Sequence, residues 1–162
     1  SVSFEWGYRK GLDCIIRLAE MLGENYQVVV VGTDDKVDKQ LPNNILSIHR
    51  TQNQKELAEI YSVANVFVNP TREEVLGMVN IESLACGTPV VMFQTGGSPE
   101  CVDEKSGIVI EKNKTEAMFK TIIQICEQKL FDEKDCVTRA KKFDESKKYH
   151  EYIELYLSSV ER

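Results

Sequence analysis

Histidine and tryptophan are almost missing from this chain: two His and one Trp occur in 162 residues. Five cysteines are present, but the number is odd, they are far apart, and no Cys-x-x-Cys pair occurs. Neither His49 nor His150 stands at ligand spacing to a cysteine. A structural zinc site is therefore not expected, and no metal is assigned; widely spaced free thiols suit a reducing cytosol. No apolar run approaches the roughly 18 residues of a membrane span, and the opening residues carry no leader pattern. Polybasic tracts are lacking, and the net charge is −6 with the acids scattered, which argues against a nucleic-acid surface. Three familiar motifs are also absent: the Gly-x-x-x-x-Gly-Lys-[Ser/Thr] phosphate loop, Gly-x-Gly-x-x-Gly and Gly-x-Ser-x-Gly. Simple nucleotide-triphosphate, dinucleotide and serine-hydrolase chemistries lose their usual sequence support.

What is there is an alternation. Apolar runs at residues 27–32, 65–69 and 88–93 are rich in valine, with weaker candidates at Ile45–Ile48 and Gly107–Ile110. Runs apolar on both faces suit parallel strands covered on both sides. Between them, Leu12, Ile15, Ile16, Ala19 and Leu22 recur at helical spacing, as do Leu57, Ile60, Tyr61 and Ala64. Asn113-x-x-Glu116 reads as the cap of a helix carrying Met118, Ile122, Ile125 and Cys126. The spacing predicts an α/β fold: a Rossmann-like open parallel sheet with helices on both faces and right-handed crossovers. Length fits one domain, residues 1–162. The chain opens near an incipient strand and reads as a piece of something longer. Its closing helix, 145–162, carries Tyr149, Tyr152, Ile153, Tyr156 and Val160 on one stripe. Such a stripe reads as core, with docking on a further part of the protein as the alternative.

The segment 69–91 is the most informative. At about 100° per residue, residues 77–86 place Met78, Ile81, Leu84 and Ala85 on one arc, extended by Val79 and Cys86. Glu82 falls inside that arc, while Asn80 and Ser83 take the opposite side. A carboxylate on a buried face requires a partner, and such breaks in pattern concentrate at functional sites. A structural Glu that caps a neighbouring loop is the alternative.

Ligands of open α/β sheets sit beyond the C-terminal strand ends. Three features would gather there. Arg9-Lys10-Gly11 precedes a helix, where cations oppose the dipole unless an anion lies between; a solvated pair is the plainer meaning. Gly77-Met78-Val79 opens a helix whose free amides suit a phosphate. Gly96-Gly97 forms a tight turn after a buried strand, and an ordinary turn is its commoner meaning.

Taken together, Glu74-x7-Glu82, then Ala85-Cys86-Gly87-Thr88-Pro89-Val90, then Gly96-Gly97-x-x-Glu100, resemble the retaining glycosyltransferases of family 4. The opening Trp6-x-x-Arg9-Lys10-Gly11-Leu12 and the run Tyr61-Ser62-x-Ala64-x-Val66-Phe67-Val68-x-Pro70 are similar to that family too. The resemblance covers most of the chain and implies one half of a two-domain GT-B fold: the C-terminal, nucleotide-sugar-binding domain. It implies that Glu74 binds the donor sugar and Glu82 the ribose hydroxyls. Lys10, with Arg9, would neutralise the diphosphate, helped by amides of Gly77, Met78 and Val79 and by the Gly96-Gly97 turn. The loop at His49-Arg50-Thr51 would border the base. Arg72 and Glu73 would add charge beside the sugar.

The expected donor is a UDP- or GDP-sugar, with no cofactor besides. The expected acceptor is a saccharide or lipid-linked molecule, held by an N-terminal domain that lies outside this chain. The expected setting is cytoplasmic polysaccharide assembly, with peripheral contact at the inner membrane face. The pattern departs from the family in lacking the usual first-strand Arg and in placing Leu76 where Phe is usual. A non-catalytic nucleotide-sugar-binding or regulatory module of the same fold is the alternative function.

Overall fold

Four consecutive valines leave little choice of secondary structure, and they form β1 (Val28–Val31). In the computed structural model, which describes residues 1–160, β1 pairs in parallel with β2 (Ile45–Ile48). A second parallel sheet has the order β3 (Phe67–Asn69), β4 (Val90–Phe93), β5 (Gly107–Ile110). Every residue of the central β4 is buried, as a strand covered on both faces must be.

The two faces of β4 sort into two cores. Val91 and Phe93 face α1 (Leu12–Leu22) and α5 (Thr115–Gln128), with Ile15, Leu18, Met118 and Ile122. Val90 and Met92 face the other layer, which holds α3 (Gln54–Val63), α4 (Met78–Ala85) and α6 (Glu133–Ala140). Burial of each large side chain here contributes about 1.5–3 kcal/mol. A short helix, α2 (Asp35–Asp38), follows β1 and starts at Asp34, whose carboxylate accepts from the Lys36 and Val37 amides. Parallel sheets with helices on both sides are thus the observed architecture.

The expected Rossmann-like α/β architecture stands, with its parallel strands hydrogen-bonded as a pair and a triplet because β1 and β3 do not pair. Between them lies a slot of about 690 Å³, walled by Val28, Val29, Leu46, Val66 and Val68 among others. The opening segment runs beside β1: Val2 bridges in parallel with Val31, and the Ser1 ammonium and the Ser3 amide donate to the Val29 and Val31 carbonyls. Two expectations are corrected. Asn113 does not cap α5. It takes φ 69°, Lys114 precedes the helix without a side-chain cap, and the Asn113 carboxamide oxygen accepts from Arg72 instead.

The second correction is the stripe on α7 (Glu145–Val160), which is not core: Tyr149, Tyr152, Ile153 and Tyr156 are all more than half exposed. Nothing in the described residues packs over that stripe, so burial has no surface to act against. The side chain of Val160, and residues 161–162 of the expected closing helix, lie outside the described residues.

Candidate functional site

Two helices begin at glycines with positive φ, Gly11 (76°) before α1 and Gly77 (81°) before α4. Neither helix has a side-chain cap; in α1 the Leu12 amide donates to the Gly7 carbonyl, whereas the Met78 and Val79 amides that open α4 stay free for other acceptors. Gly11 is required by space as well as by φ. A Cβ there would overlap the Pro70 carbonyl. The tight turn Tyr8–Lys10 is thereby pressed against the loop that follows β3.

This contact brings Lys10 to Glu74. Lys10 Nζ donates to Glu74 Oε2 at 2.8 Å, across 64 positions of sequence, and both side chains are only about one-fifth exposed. The Val75 amide donates to the other oxygen, Oε1. Partial burial pushes the Glu74 pKa up, but the Lys10 hydrogen bond, the Val75 amide and the charges of Lys10 and Arg9 outweigh it. The carboxyl lies below its ordinary value.

Gly96 and Gly97 support this loop from beneath. A Cβ on Gly96 would overlap the Glu74 carbonyl oxygen, and the Gly97 amide donates to the Val75 carbonyl. The turn is therefore a close backbone packing surface for Glu74. Arg9, Lys10, Glu73, Glu74 and Gly96 line one open cleft of about 590 Å³ at the C-terminal strand ends. Arg9 itself is exposed and turns to Glu5, at 3.5 Å.

Glu82 corrects the helical wheel. It is exposed, not buried, and Asn80 and Ser83 are the buried pair, each 0% exposed. Both polar side chains are satisfied: Asn80 Oδ1 accepts from Asn69, and Ser83 Oγ donates to the Thr88 carbonyl. Met78, Glu82 and Ala85 form the open face instead, with Met78 60% exposed. Glu82 is nonetheless held, since the hydroxyl of buried Tyr61 donates to its Oε2 at 3.2 Å. Burial, then the negative charge of Glu82, pushes the Tyr61 pKa up.

Arg72 also departs from expectation. It is 8% exposed and turns inward. Arg50 is exposed and Thr51 half-buried beyond the end of β2, and neither is among the residues that line the cleft. Val79 is half-buried in the first turn of α4.

One cluster was not legible in the sequence. His49 Nε2 lies 2.7 Å from Asp38 and 4.0 Å from Asp35, and the three residues' ligand-type atoms lie within 4.8 Å of one another. The Asp38 hydrogen bond raises the His49 pKa. The acids stand i, i+3 on α2, while the histidine follows β2, so no local spacing announces the group.

A half-buried cation, a carboxylate and open helix amides on one strand edge suit a ligand with both anionic and hydroxyl groups. Comparison with known proteins gives the chain's relatives. D-inositol 3-phosphate glycosyltransferase of Mycobacteroides abscessus is 31% identical over 121 residues, covering 66% of this chain and 27% of the relative. A GDP-mannose-dependent monoacylated alpha-(1-6)-phosphatidylinositol monomannoside mannosyltransferase of Corynebacterium glutamicum is 26% identical over 133 residues, covering 72% and 35%. The chain thus spans about a third or less of these relatives' length. Among solved structures, sucrose-phosphate synthase of Thermosynechococcus elongatus superposes with TM-score 0.82 at 23% identity, covering 98% of this chain and 44% of that one. Anabaena HepE in complex with UDP-glucose gives 0.79 at 16% identity, covering 98% and 48%. Residues 5–143 match the family described as glycosyl transferases group 1, and the chain belongs to that family.

Proposed function

We propose that this chain is the C-terminal, donor-binding half of a retaining family 4 glycosyltransferase with the GT-B fold. It would move a sugar from a UDP- or GDP-linked donor to a saccharide or lipid-linked acceptor. The carrying observation is the Lys10–Glu74 pair, 2.8 Å apart beside two uncapped helix starts. One relative is named as GDP-mannose-dependent, and one neighbour was solved with UDP-glucose; both support a nucleotide-sugar donor.

In this scheme the donor diphosphate lies against Lys10 and the amides of Gly77, Met78 and Val79. Positive groups placed where the leaving group gathers charge lower the barrier to its departure. Arg9 adds long-range charge at the rim. Glu74 accepts from hydroxyls of the sugar. Glu82, exposed on the open face of α4, accepts from the ribose diol, since one carboxylate can take two donors. Arg50 and Thr51 border the base, and Gly96-Gly97 holds the Glu74 loop at its height. No side chain here is assigned as a covalent nucleophile. The acceptor attacks from the face that the diphosphate leaves, which retains the anomeric configuration.

The scheme draws on no cofactor besides the donor and requires an N-terminal acceptor domain to close the cleft. The chain alone is therefore expected to transfer no sugar. No helix among the described residues is long and apolar enough to cross a membrane. A cytoplasmic setting, with peripheral contact at the inner membrane face and a role in polysaccharide assembly, fits the scheme.

Isothermal titration of UDP, GDP, their sugars and the bare nucleosides tests it. Lys10→Ala should weaken diphosphates by about tenfold to a hundredfold, the range of roughly 1.5–3 kcal/mol for a charge-assisted hydrogen bond. Nucleosides should lose nothing. Equal losses for nucleoside and diphosphate would remove Lys10 from the site.

A further inference from the structure

Arg72 has more partners than a loop residue needs. Its guanidinium forms a two-pronged pair with Asp13, Nη1 to Oδ1 at 2.7 Å and Nη2 to Oδ2 at 2.8 Å. Nη1 also donates to the Tyr8 carbonyl at 2.6 Å, and Nε donates to Asn113 at 2.7 Å. The planar group stacks over the Tyr8 ring at 4.0 Å. The backbone takes part as well: the Arg72 amide donates to the Arg9 carbonyl, and the Arg72 carbonyl accepts from Thr95. One buried side chain thus ties the Tyr8–Lys10 turn, the first turn of α1 and the loop before α5. Its own backbone adds the loop after β4.

Lys10 follows Tyr8 by two positions, and Glu74 follows Arg72 by two. The two segments whose tips form the 2.8 Å pair are therefore joined at their roots by Arg72. A guanidinium is suited to this task. It offers five donors in a fixed plane and cannot lose its charge, whereas a lysine in its place would supply a single point charge. Asn113 accepts from Arg72 out of a left-handed backbone conformation, φ 69°, which asparagine adopts readily.

We propose that Arg72 is a positioning residue: it sets the spacing of Lys10 and Glu74, and so prepares the cleft before any ligand arrives. The assignment rests on the proposed donor-binding role of that pair, but its geometric half can be tested without ligand. Preorganisation of this kind is sensitive, since displacement of about 1 Å can reduce function by two orders of magnitude.

The test uses Arg72→Lys, Arg72→Met and Asp13→Asn beside the wild type, with two readouts. The first is the Glu74 carboxyl titration followed by NMR in the folded, ligand-free protein. Arg72→Lys should move it upward toward the ordinary 4.5, because Lys10 is no longer held against it, and Asp13→Asn should move it the same way by less. The second is calorimetric affinity for UDP and GDP, which should fall roughly tenfold or more in Arg72→Lys. Should Arg72→Met fail to fold, Arg72→Lys and Asp13→Asn carry the test. A merely structural Arg72 would lower the melting temperature and leave the Glu74 titration in place; that result overturns the proposal. If wild type binds neither nucleotide while the titration shifts as stated, the donor-binding reading fails and the positioning role stands.

Discussion

Two hollows among the described residues differ in kind. The slot between β1 and β3 is the larger, about 690 Å³ against about 590 Å³ for the cleft at the strand ends. Its walls are mostly valine, leucine and isoleucine. The cleft is shallower, but Arg9, Lys10, Glu73 and Glu74 converge on it. Apolar walls reward any dry surface equally, because the hydrophobic effect has no direction. Charges and helix amides reward particular atoms in particular places. The same parallel strands produce both hollows: their flanks make the slot, and their ends make the cleft.

The largest expected effect lies under the cleft. Gly96→Ala puts a methyl group into the Glu74 carbonyl at a positive φ of 47°. Backbone strain plus the forced shift of the loop should lower stability by about 3 kcal/mol, read by urea denaturation, and abolish nucleotide-sugar binding. A fully stable variant with normal binding would detach the Gly-Gly turn from the site.

Next comes the open face of α4. Glu82→Ala should weaken nucleoside diphosphates by about 1.5–3 kcal/mol. Stability should fall by about 1–3 kcal/mol, since the hydroxyl of buried Tyr61 loses its acceptor. Unchanged affinity would refute the ribose role.

A smaller effect appears as a pH dependence. The folded Glu74 pKa lies below its ordinary 4.5. Such a carboxylate contributes stability that is complete above the unfolded value and is lost as pH falls through the folded value. Other carboxylates share this behaviour, so the comparison is between wild type and Lys10→Met. Urea midpoints between about pH 7 and pH 3 should fall less steeply in the variant. Identical slopes would show that the pair is energetically idle.

The smallest effect belongs to the slot. Val63 lines it and is 82% exposed. Val63→Ser should change stability by less than about 0.5 kcal/mol and leave nucleotide affinity unaltered. A loss of affinity would break the contrast between the hollows.

The strands and helices were legible because valine-rich runs and 3.6-residue spacing are local signals. Ile45–Ile48 and Gly107–Ile110 fall where the pattern placed them. Sequence also drew Lys10 and Glu74 into one site, though only by resemblance; no local pattern links residues 64 positions apart. The orientation of α4 was misread for a physical reason. A helical wheel sorts residues by polarity, but Asn80 and Ser83 are buried because Asn69 and Thr88 satisfy them. Hydrogen-bond partners from other elements are invisible in a ten-residue window. The same blindness hid Arg72, which looks like a surface charge until Asp13 and Asn113 are brought beside it. The α7 stripe shows the reverse error: a helical pattern promises an apolar face, not a neighbour to cover it.

If the proposed donor binds here, the Lys10–Glu74 contact makes its capture an exchange. Lys10 is already engaged at 2.8 Å, so an arriving anion must outcompete a carboxylate rather than fill a vacancy. A monovalent ion such as chloride brings no more charge than Glu74 and would need to be strongly concentrated to open the pair. A diphosphate brings more charge and several oxygens, and can share Lys10 with the helix amides. Once Lys10 swings away, Glu74 loses the cation that kept it acidic and is left to accept from hydroxyls. On the proposed donor-binding reading, the resting ion pair would act as a threshold that favours polyvalent anions over the common small ones.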